Sequence, residues 1–509
     1  MKSRIGINLI AQVVAFAINI CISFFLTPYI VNIIGIEANG FVGLANNFIE
    51  YAQLLTVAIN SMVGRFVTIK IHKNQIEEAN KYFTSVLVVN IVIAIILSII
   101  FGGVIAFLTN IINISPELVT DVKLLWGFIF FNFIISLFTS VYSVSTFAKN
   151  RLELAALCNI KAYLIRAGIL IVSYVFFKPV VWYIGLALSA MGVYTLITHI
   201  RYTKKLMPEL KFDKKNYDFS KIKELIKSGI WNSISKLSSI LSSGLDLLIT
   251  NLLVNPVAMG VVSLSKTIPT IILSFFGTIA NIFAPQLTIS YAKGEKDDMK
   301  SQLLFAIKLF GILASIPIAI IVGLGQEFYG LWTPTQDSHL LYLLTVVSCI
   351  NLAFALPVEP LYNIFTVTNK IKASSIALIL FSMLSITLVF VGLSFANTDM
   401  EKMFIIVGVG SFVNAIRVLT FLPIYGAKCM GYKKTTFYPP IFKNIGLIIL
   451  LSIVAFGIKN LINVNSWIAL IIVAIVVGAI GLIFNFMIIC TKEEKQKILL
   501  MVKQRSFSK

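Results

Sequence analysis

The stretch Ala38-Asn-Gly40-Phe-Val42-Gly-Leu44 returns 220 positions later as Ala258-Met-Gly260-Val-Val262-Ser-Leu264. At the same offset Thr68-Ile69 meets Thr288-Ile289, Lys73 meets Lys293, and the acidic pair Glu77-Glu78 meets Asp297-Asp298. Tyr142 and Thr146 fall on Tyr362 and Thr366. Apolar segments match one another by chance, but lysines and acidic pairs in corresponding turns do so less readily. The chain therefore reads as two copies of one unit, over 1–203 and 227–427.

Both copies are strongly apolar. Of the 509 residues, 58% are hydrophobic and 13% charged, and the mean hydropathy is +0.92. Soluble domains carry roughly 25% charged residues. Many apolar runs exceed the ~20 residues that cross a hydrocarbon core of ~30 Å. In that solvent each backbone N–H and C=O must be satisfied within its own segment, which selects helices. The predicted spans are 5–34, 39–69, 82–110, 121–148, 155–177 and 180–202, then 227–254, 257–290, 300–325, 338–368, 371–396, 401–427, 438–460 and 465–490. The fold class is thus an all-α polytopic membrane protein of about fourteen transmembrane helices. Two parallel six-helix repeats, 1–203 and 227–427, flank a basic linker at 204–226, and 428–509 adds two helices and a basic tail.

A net charge of +20 invites a nucleic-acid reading. The distribution removes it, because Lys and Arg gather in alternate loops. About thirty lie on one side and four (Lys123, Lys178, Lys402, Lys459) on the other. By the positive-inside rule both termini and the linker are cytoplasmic. The start, Met1-Lys-Ser-Arg4, runs into an apolar segment too long for a cleavable signal and reads as the first membrane helix. The five cysteines are scattered, and His72, His199 and His339 are far apart, so neither a disulfide framework nor a metal site is expected.

Polar stripes interrupt several of these helices. The seventh carries Asn232, Lys236, Ser239, Ser243, Asp246 and Thr250, spaced by alternating fours and threes, which predicts one helix face. The first shows a weaker version in Asn8, Gln12, Asn19 and Ser23. The second has Asn46, Glu50, Gln53 and Asn60, and the eighth Lys266, Thr270, Ser274 and Asn281. Serines and asparagines commonly serve as helix–helix glue. Charges at membrane depth cost more, about 2.5–3.5 kcal/mol each. Arg166, Lys236, Lys266 and Arg417 then need partners or a wet cavity, with Asp246, Glu50 and Glu359 as counter-charges. Four cations against three anions suit a ligand bearing phosphate or carboxylate. Pro28, Pro269, Pro285, Pro357 and Pro360 interrupt helices where movement or a packing kink would fall.

No G-x-x-x-x-G-K-[ST] loop occurs, so transport would draw on an ion gradient, the membrane potential or consumption of product. Glu50 and Glu359 are candidate sites for a coupling cation, H+ or Na+, and Glu50 is equally a partner for a buried Lys or Arg. No cofactor, metal or enzymatic activity is expected.

The two six-helix bundles, two extra helices, Thr27-Pro-Tyr-Ile-Val31 and Gly35-Ile-Glu-Ala-Asn-Gly40 resemble the bacterial polysaccharide flippases. These Wzx-like proteins belong to the multidrug/oligosaccharidyl-lipid/polysaccharide (MOP) exporter superfamily. The resemblance covers the whole chain and rests on pattern more than on invariant residues. It implies a MATE-like fold with a cavity between two lobes. It also implies movement of undecaprenyl-pyrophosphate-linked oligosaccharide from the inner to the outer leaflet of the bacterial plasma membrane by alternating access. Polysaccharide polymerase or assembly proteins would be partners. Lys236, Lys266, Arg166 and Arg417 match the family's cavity cations by character and depth, and Asn232, Ser239, Ser243, Asp246, Asn46, Gln53 and Asn60 would meet sugar hydroxyls. Three rivals remain at this point: a cation-coupled multidrug exporter, a peptidoglycan-precursor (lipid II) flippase, and a membrane glycosyl polymerase or ligase. The last is disfavoured by the short outside loops.

Overall fold

The computed structural model describes residues 2–149, 151–280, 283, 287, 290, 291, 293–368 and 370–489, with backbone alone over 2–10, 12 and 13. The side chains of Asn8 and Gln12, and all of Asn281, Pro285, Cys490 and the basic tail, lie outside that description. The long elements are helices α1 (Lys2–Tyr29), α2 (Ile36–His72), α3 (Ile76–Ala106), α4 (Val119–Tyr142), α5 (Leu152–Phe176), α6 (Trp182–Leu206) and α7 (Phe219–Ser239). They continue with α8 (Pro256–Ala280), α9 (Lys296–Trp332), α10 (Ser338–Val358), α11 (Ile371–Leu393), α12 (Asp399–Met430), α13 (Tyr438–Leu461) and α14 (Trp467–Ile488).

Among the described residues, thirteen helical segments are long and apolar enough to cross a membrane. The segment that fails that test is α7, whose polar residues lower its hydropathy and whose continuation is broken. A π turn at Ile240–Gly244 separates it from a short helix, Asp246–Leu253. The chain is a polytopic all-α membrane protein.

Local chemistry sets many of the helix ends. Thr398 accepts from the Glu401 backbone N–H while Glu401 accepts from that of Thr398, a capping box that starts α12. Asp337 and Ser466 cap α10 and α14 with their side chains. Gly431, at φ 75°, closes α12 in the left-handed region that glycine enters without a Cβ clash.

By internal contacts the chain divides into two units, Met1–Ser263 and Leu264–Lys509, with the division inside α8. Each has a buried apolar core, and the two cores share one register. Val67, Ala79, Phe83, Leu87, Val141 and Val144 of the first unit stand 220 positions before Leu287, Met299, Leu303, Ile307, Leu361 and Ile364 of the second. Even the partly buried Tyr142 and Tyr362 correspond. The apolar repeat in the sequence is therefore a repeat of core positions.

Helices α13 and α14 pack on α9 in the second unit. The buried Asn444 donates to the Ile307 carbonyl at 3.2 Å, opposite Gly311, and Asn485 donates to Ser315 Oγ at 2.9 Å. Gly323 faces Ala455, so small residues let the backbones approach.

The linker of the first unit shrinks to residues 207–218, which lie across the start of α3. Asn80 donates to the Glu209 carbonyl, and Ser85 and Asp218 exchange hydrogen bonds of 3.2 and 2.9 Å. Lys221 pairs with Glu78 at 2.7 Å, and Tyr82 donates to Glu224. Glu78 of α3, Glu224 of α7 and Asp218 of the linker thereby tie α7 to α3.

Candidate functional site

In the first unit, α2 and α7 run side by side, and polar contacts mark their seam along its length. At one end Gly229 lies so close to α2 that a Cβ would overlap the Ala58 carbonyl. Asn232 donates to Ser61 Oγ at 3.0 Å. Further along, Lys236 Nζ stands 3.2 Å from Glu50 Oε2, with side chains 22% and 41% exposed. At the far end both Asn47 (2.9 Å) and Tyr51 (2.5 Å) donate to the Gly244 carbonyl.

The π turn explains that last pair. A π turn displaces the helical hydrogen-bond ladder and marks functional segments more often than ordinary helix does. A carbonyl released from the ladder needs a donor elsewhere, since an unpaired one in an apolar setting costs about 1–3 kcal/mol. Two side chains of α2 converge on the Gly244 carbonyl, and Ser242-Ser243-Gly244 supplies the small residues that let them reach it.

The same turn corrects the predicted stripe. The six polar residues of the seventh span do not occupy one face. Asn232 and Lys236 are half-buried on α2, Ser239 and Ser243 are exposed, and Asp246 and Thr250 are buried. The turn shifts the phase of the helix between Ser239 and Asp246, so the spacing continues while the face rotates. Asn46 is exposed and folds its amide back to the Val42 carbonyl. Gln53 is half-buried two turns before the site where Asn60 accepts from the fully buried Asn90 at 3.1 Å.

Beyond the π turn the unit is clasped by residues the sequence did not single out. Asn113 and Asn251 exchange three hydrogen bonds of 2.8–3.0 Å, and Glu37 accepts from the backbone and hydroxyl of Ser115 at 3.0 and 2.7 Å. There α2 crosses α8. A Cβ on Gly40 would lie 2.9 Å from the Gly260 Cα, and one on Gly43 2.7 Å from Ser263 Oγ. Each of these pairs consists of positions 220 residues apart, so the repeated motif meets its own copy.

Arg166 belongs to a different seam of this unit, between α5 and α1. Its Nη1 donates to Asn19 Oδ1 at 3.3 Å, while its buried Nε finds no acceptor among the described residues.

In the second unit, Arg417 on α12 is 5% exposed. Its guanidinium donates to Asn414 Oδ1 (2.6 and 2.9 Å) and to Tyr362 Oη (2.9 Å), leaving Nη1 buried without an acceptor among the described residues. Glu359 sits at a 3-10 turn between Pro357 and Pro360, where α10 ends. The prolines remove two backbone donors and let the chain turn at the acid. Lys266 occupies the break inside α8, between the helices Pro256–Ser265 and Thr267–Ala280, and Pro269 lies buried just after it. A third pair escaped the sequence reading: Glu327 of α9 holds Lys459 of α13 at 2.6 Å. The only sequence signal was an acid near one end of α9 and a base near one end of α13. The site cations thus divide, Lys236 and Arg166 in the first unit and Lys266 and Arg417 in the second. Among the described residues no three His, Cys, Asp or Glu side chains converge as a metal site would require.

Comparison with known proteins agrees with this architecture. The sequence profile described as "Polysaccharide biosynthesis protein" matches residues 5–288. An uncharacterized membrane protein of Bacillus subtilis (strain 168), EpsK, is 30% identical over 501 residues, covering 97% of each chain. A multidrug resistance MATE family transporter of the MOP superfamily, in an inward-facing conformation, superposes with a TM-score of 0.65 at 13% identity, over 81% of this chain and 94% of that one. The lipid II flippase MurJ, in an inward closed conformation, gives 0.58 at 14% identity, over 93% of this chain and 97% of that one. At such identities the two solved structures establish the fold. The chain is a multi-pass membrane protein with a MATE-like fold, and it belongs to the polysaccharide biosynthesis protein family.

Proposed function

We propose that the protein flips undecaprenyl-pyrophosphate-linked oligosaccharide repeat units from the inner to the outer leaflet of the bacterial plasma membrane, by alternating access, for surface polysaccharide synthesis. Both termini are cytoplasmic in this reading, from the asymmetry of the basic loops. The observation that carries it is the Lys236–Glu50 pair, a half-exposed ion pair inside a membrane helix seam, in a chain of the polysaccharide biosynthesis family.

An ion pair this exposed contributes only about 0.2–1 kcal/mol, so it is exchangeable. A pyrophosphate, with more charge and more acceptor oxygens than a carboxylate, displaces Glu50 from Lys236. The ammonium serves as a point charge that accepts many phosphate orientations. Glu50, once displaced, takes up a proton or another cation and thereby links substrate release to an ion gradient. Arg166 in the first unit, and Lys266 and Arg417 in the second, are further cations for anionic groups of the substrate, and Asn232, Ser239, Ser243, Asp246, Asn46, Gln53 and Asn60 offer hydroxyl, amide and carboxylate groups to sugars. Glu359 is the second candidate for the coupling cation.

Deletion of the gene tests this directly. The surface glycan should disappear and lipid-linked repeat units should accumulate in the inner leaflet. Intact glycan with raised sensitivity to cationic dyes would replace this reading with multidrug export.

A further inference from the structure

We propose that the groove between α1 and α5 seats the isoprenoid chain of a polyprenyl phosphate lipid, with Arg166 at its end meeting the phosphate. The inference rests on the flippase reading and adds where the lipid part of the substrate is held.

The groove measures about 420 Å³ and is lined almost wholly by apolar atoms. On α1 its wall is Cys21, Phe25 and Tyr29, and on α5 it is Leu170, Ile171 and Tyr174. The lining of each helix recurs every three or four residues, so each presents one face to the groove. From Cys21 to Tyr29 the groove extends about 12 Å along the helix axis at ~1.5 Å per residue. It opens sideways, since Phe25, Ile171 and Val175 expose more than half of their surface. One end is closed by the packed rings of Tyr29 and Tyr174, whose centroids are 4.7 Å apart.

The other end is polar. Arg166 precedes the lining residue Ala167, and Asn19 stands two positions before Cys21. Their hydrogen bond of 3.3 Å spans the two helices at the foot of the groove, and the buried Arg166 Nε has no acceptor among the described residues. A crevice that met only bulk lipid tails would gain nothing from a guanidinium with an unanswered donor at its foot. A chain ending in phosphate fits both parts, with hydrocarbon against the apolar walls and oxygens on the guanidinium, which binds phosphate through paired donors. Such a seat lets the lipid chain stay in the membrane while the sugar head moves.

Photo-crosslinking of the full-length protein in nanodiscs tests the proposal. The probes are polyprenyl monophosphate and polyprenol, each with a diazirine on the chain, and a diazirine phospholipid, all mapped by peptide mass spectrometry. The phosphate probe should label α1 and α5 peptides of the groove at least fivefold more than either of the others, and Arg166→Met should erase that preference. Val175→Trp, which fills the groove more than two turns away from the arginine, should reduce labelling there by all three probes. Equal labelling by the three probes in the wild-type protein would reduce the groove to a crevice for annular lipid and overturn the inference. Phosphate-selective labelling of other helices only would overturn the inference and leave the flippase reading standing. If the phosphate probe has no preferred site anywhere, the inference falls, and the flippase reading stands or falls by the glycan of the deletion strain.

Discussion

The seam of α2 and α7 in the first unit and the Arg417 cluster of the second solve the problem of a cation in a membrane protein in opposite ways. Lys236 is 22% exposed and paired with one carboxylate, Glu50, itself 41% exposed. Arg417 is almost fully buried and held by Asn414 and Tyr362, neutral groups of its own unit. The internal repeat sharpens the contrast. Shifted by 220, Lys236 falls on Phe16, Glu50 on Thr270, Arg166 on Ile386 and Arg417 on Ile197. Duplicated positions build the two cores, whereas every one of these charges belongs to one copy. The copies thus share their apolar cores and differ in where each holds its charges.

That comparison predicts that stability and transport respond in opposite order. The largest loss of stability belongs to Arg417→Ala, which removes charge-assisted hydrogen bonds and leaves a cavity, about 2–4 kcal/mol. Thermal unfolding of the purified protein should show it, and an unchanged unfolding curve would mean that Arg417 is not a structural anchor. Next is Gly229→Ala, whose Cβ forces α7 away from the Ala58 carbonyl, at about 1–3 kcal/mol. The same unfolding assay reads it.

Lys236→Ala should cost less than ~1 kcal/mol of stability, since a half-exposed ion pair contributes little. Its transport should nevertheless fall at least roughly tenfold, the equivalent of ~1.4 kcal/mol. Lys266→Ala should behave alike, folded and in the membrane but inactive. Normal surface glycan in both variants would remove the cationic site. The smallest structural effect belongs to Glu50→Gln, which keeps the shape of the side chain and its contact with α7. Transport should persist in this variant but lose its response to a collapsed proton or sodium gradient, measured with ionophores. A wild-type response would leave Glu50 as a partner of Lys236 and nothing more.

Much of the fold was legible because its determinants are local or periodic. Apolar length marks the spans, and the 220-residue offset carries the core register. The pair Pro357 and Pro360 announces the turn at Glu359. The polar contacts were less legible, for a physical reason. The pairing of Lys236 with Glu50 joins residues 186 positions apart, and it depends on how deeply α7 slides against α2, which Gly229 sets. Spacing alone predicted that Asn232 and Asp246 share a face. The π turn between them, stabilised by Asn47 and Tyr51 from another helix, changes the phase, and a tertiary contact of that kind leaves no periodic trace. The reciprocal Asn113–Asn251 bonds and the Glu327–Lys459 pair are hidden in the same way, since each looks like an ordinary turn or helix-end residue until its partner is in place.

The central claim is that the protein itself moves a pyrophosphate-linked glycolipid across a bilayer through Lys236. The measurement that tests it most directly is translocation in proteoliposomes containing only the purified protein and a polyprenyl-pyrophosphate oligosaccharide. Lectin or glycosidase accessibility would report the leaflet occupied by the sugar. The account predicts protein-dependent translocation that Lys236→Ala abolishes while the variant remains folded. Translocation no faster than in empty liposomes, or equally fast with Lys236→Ala, would contradict it.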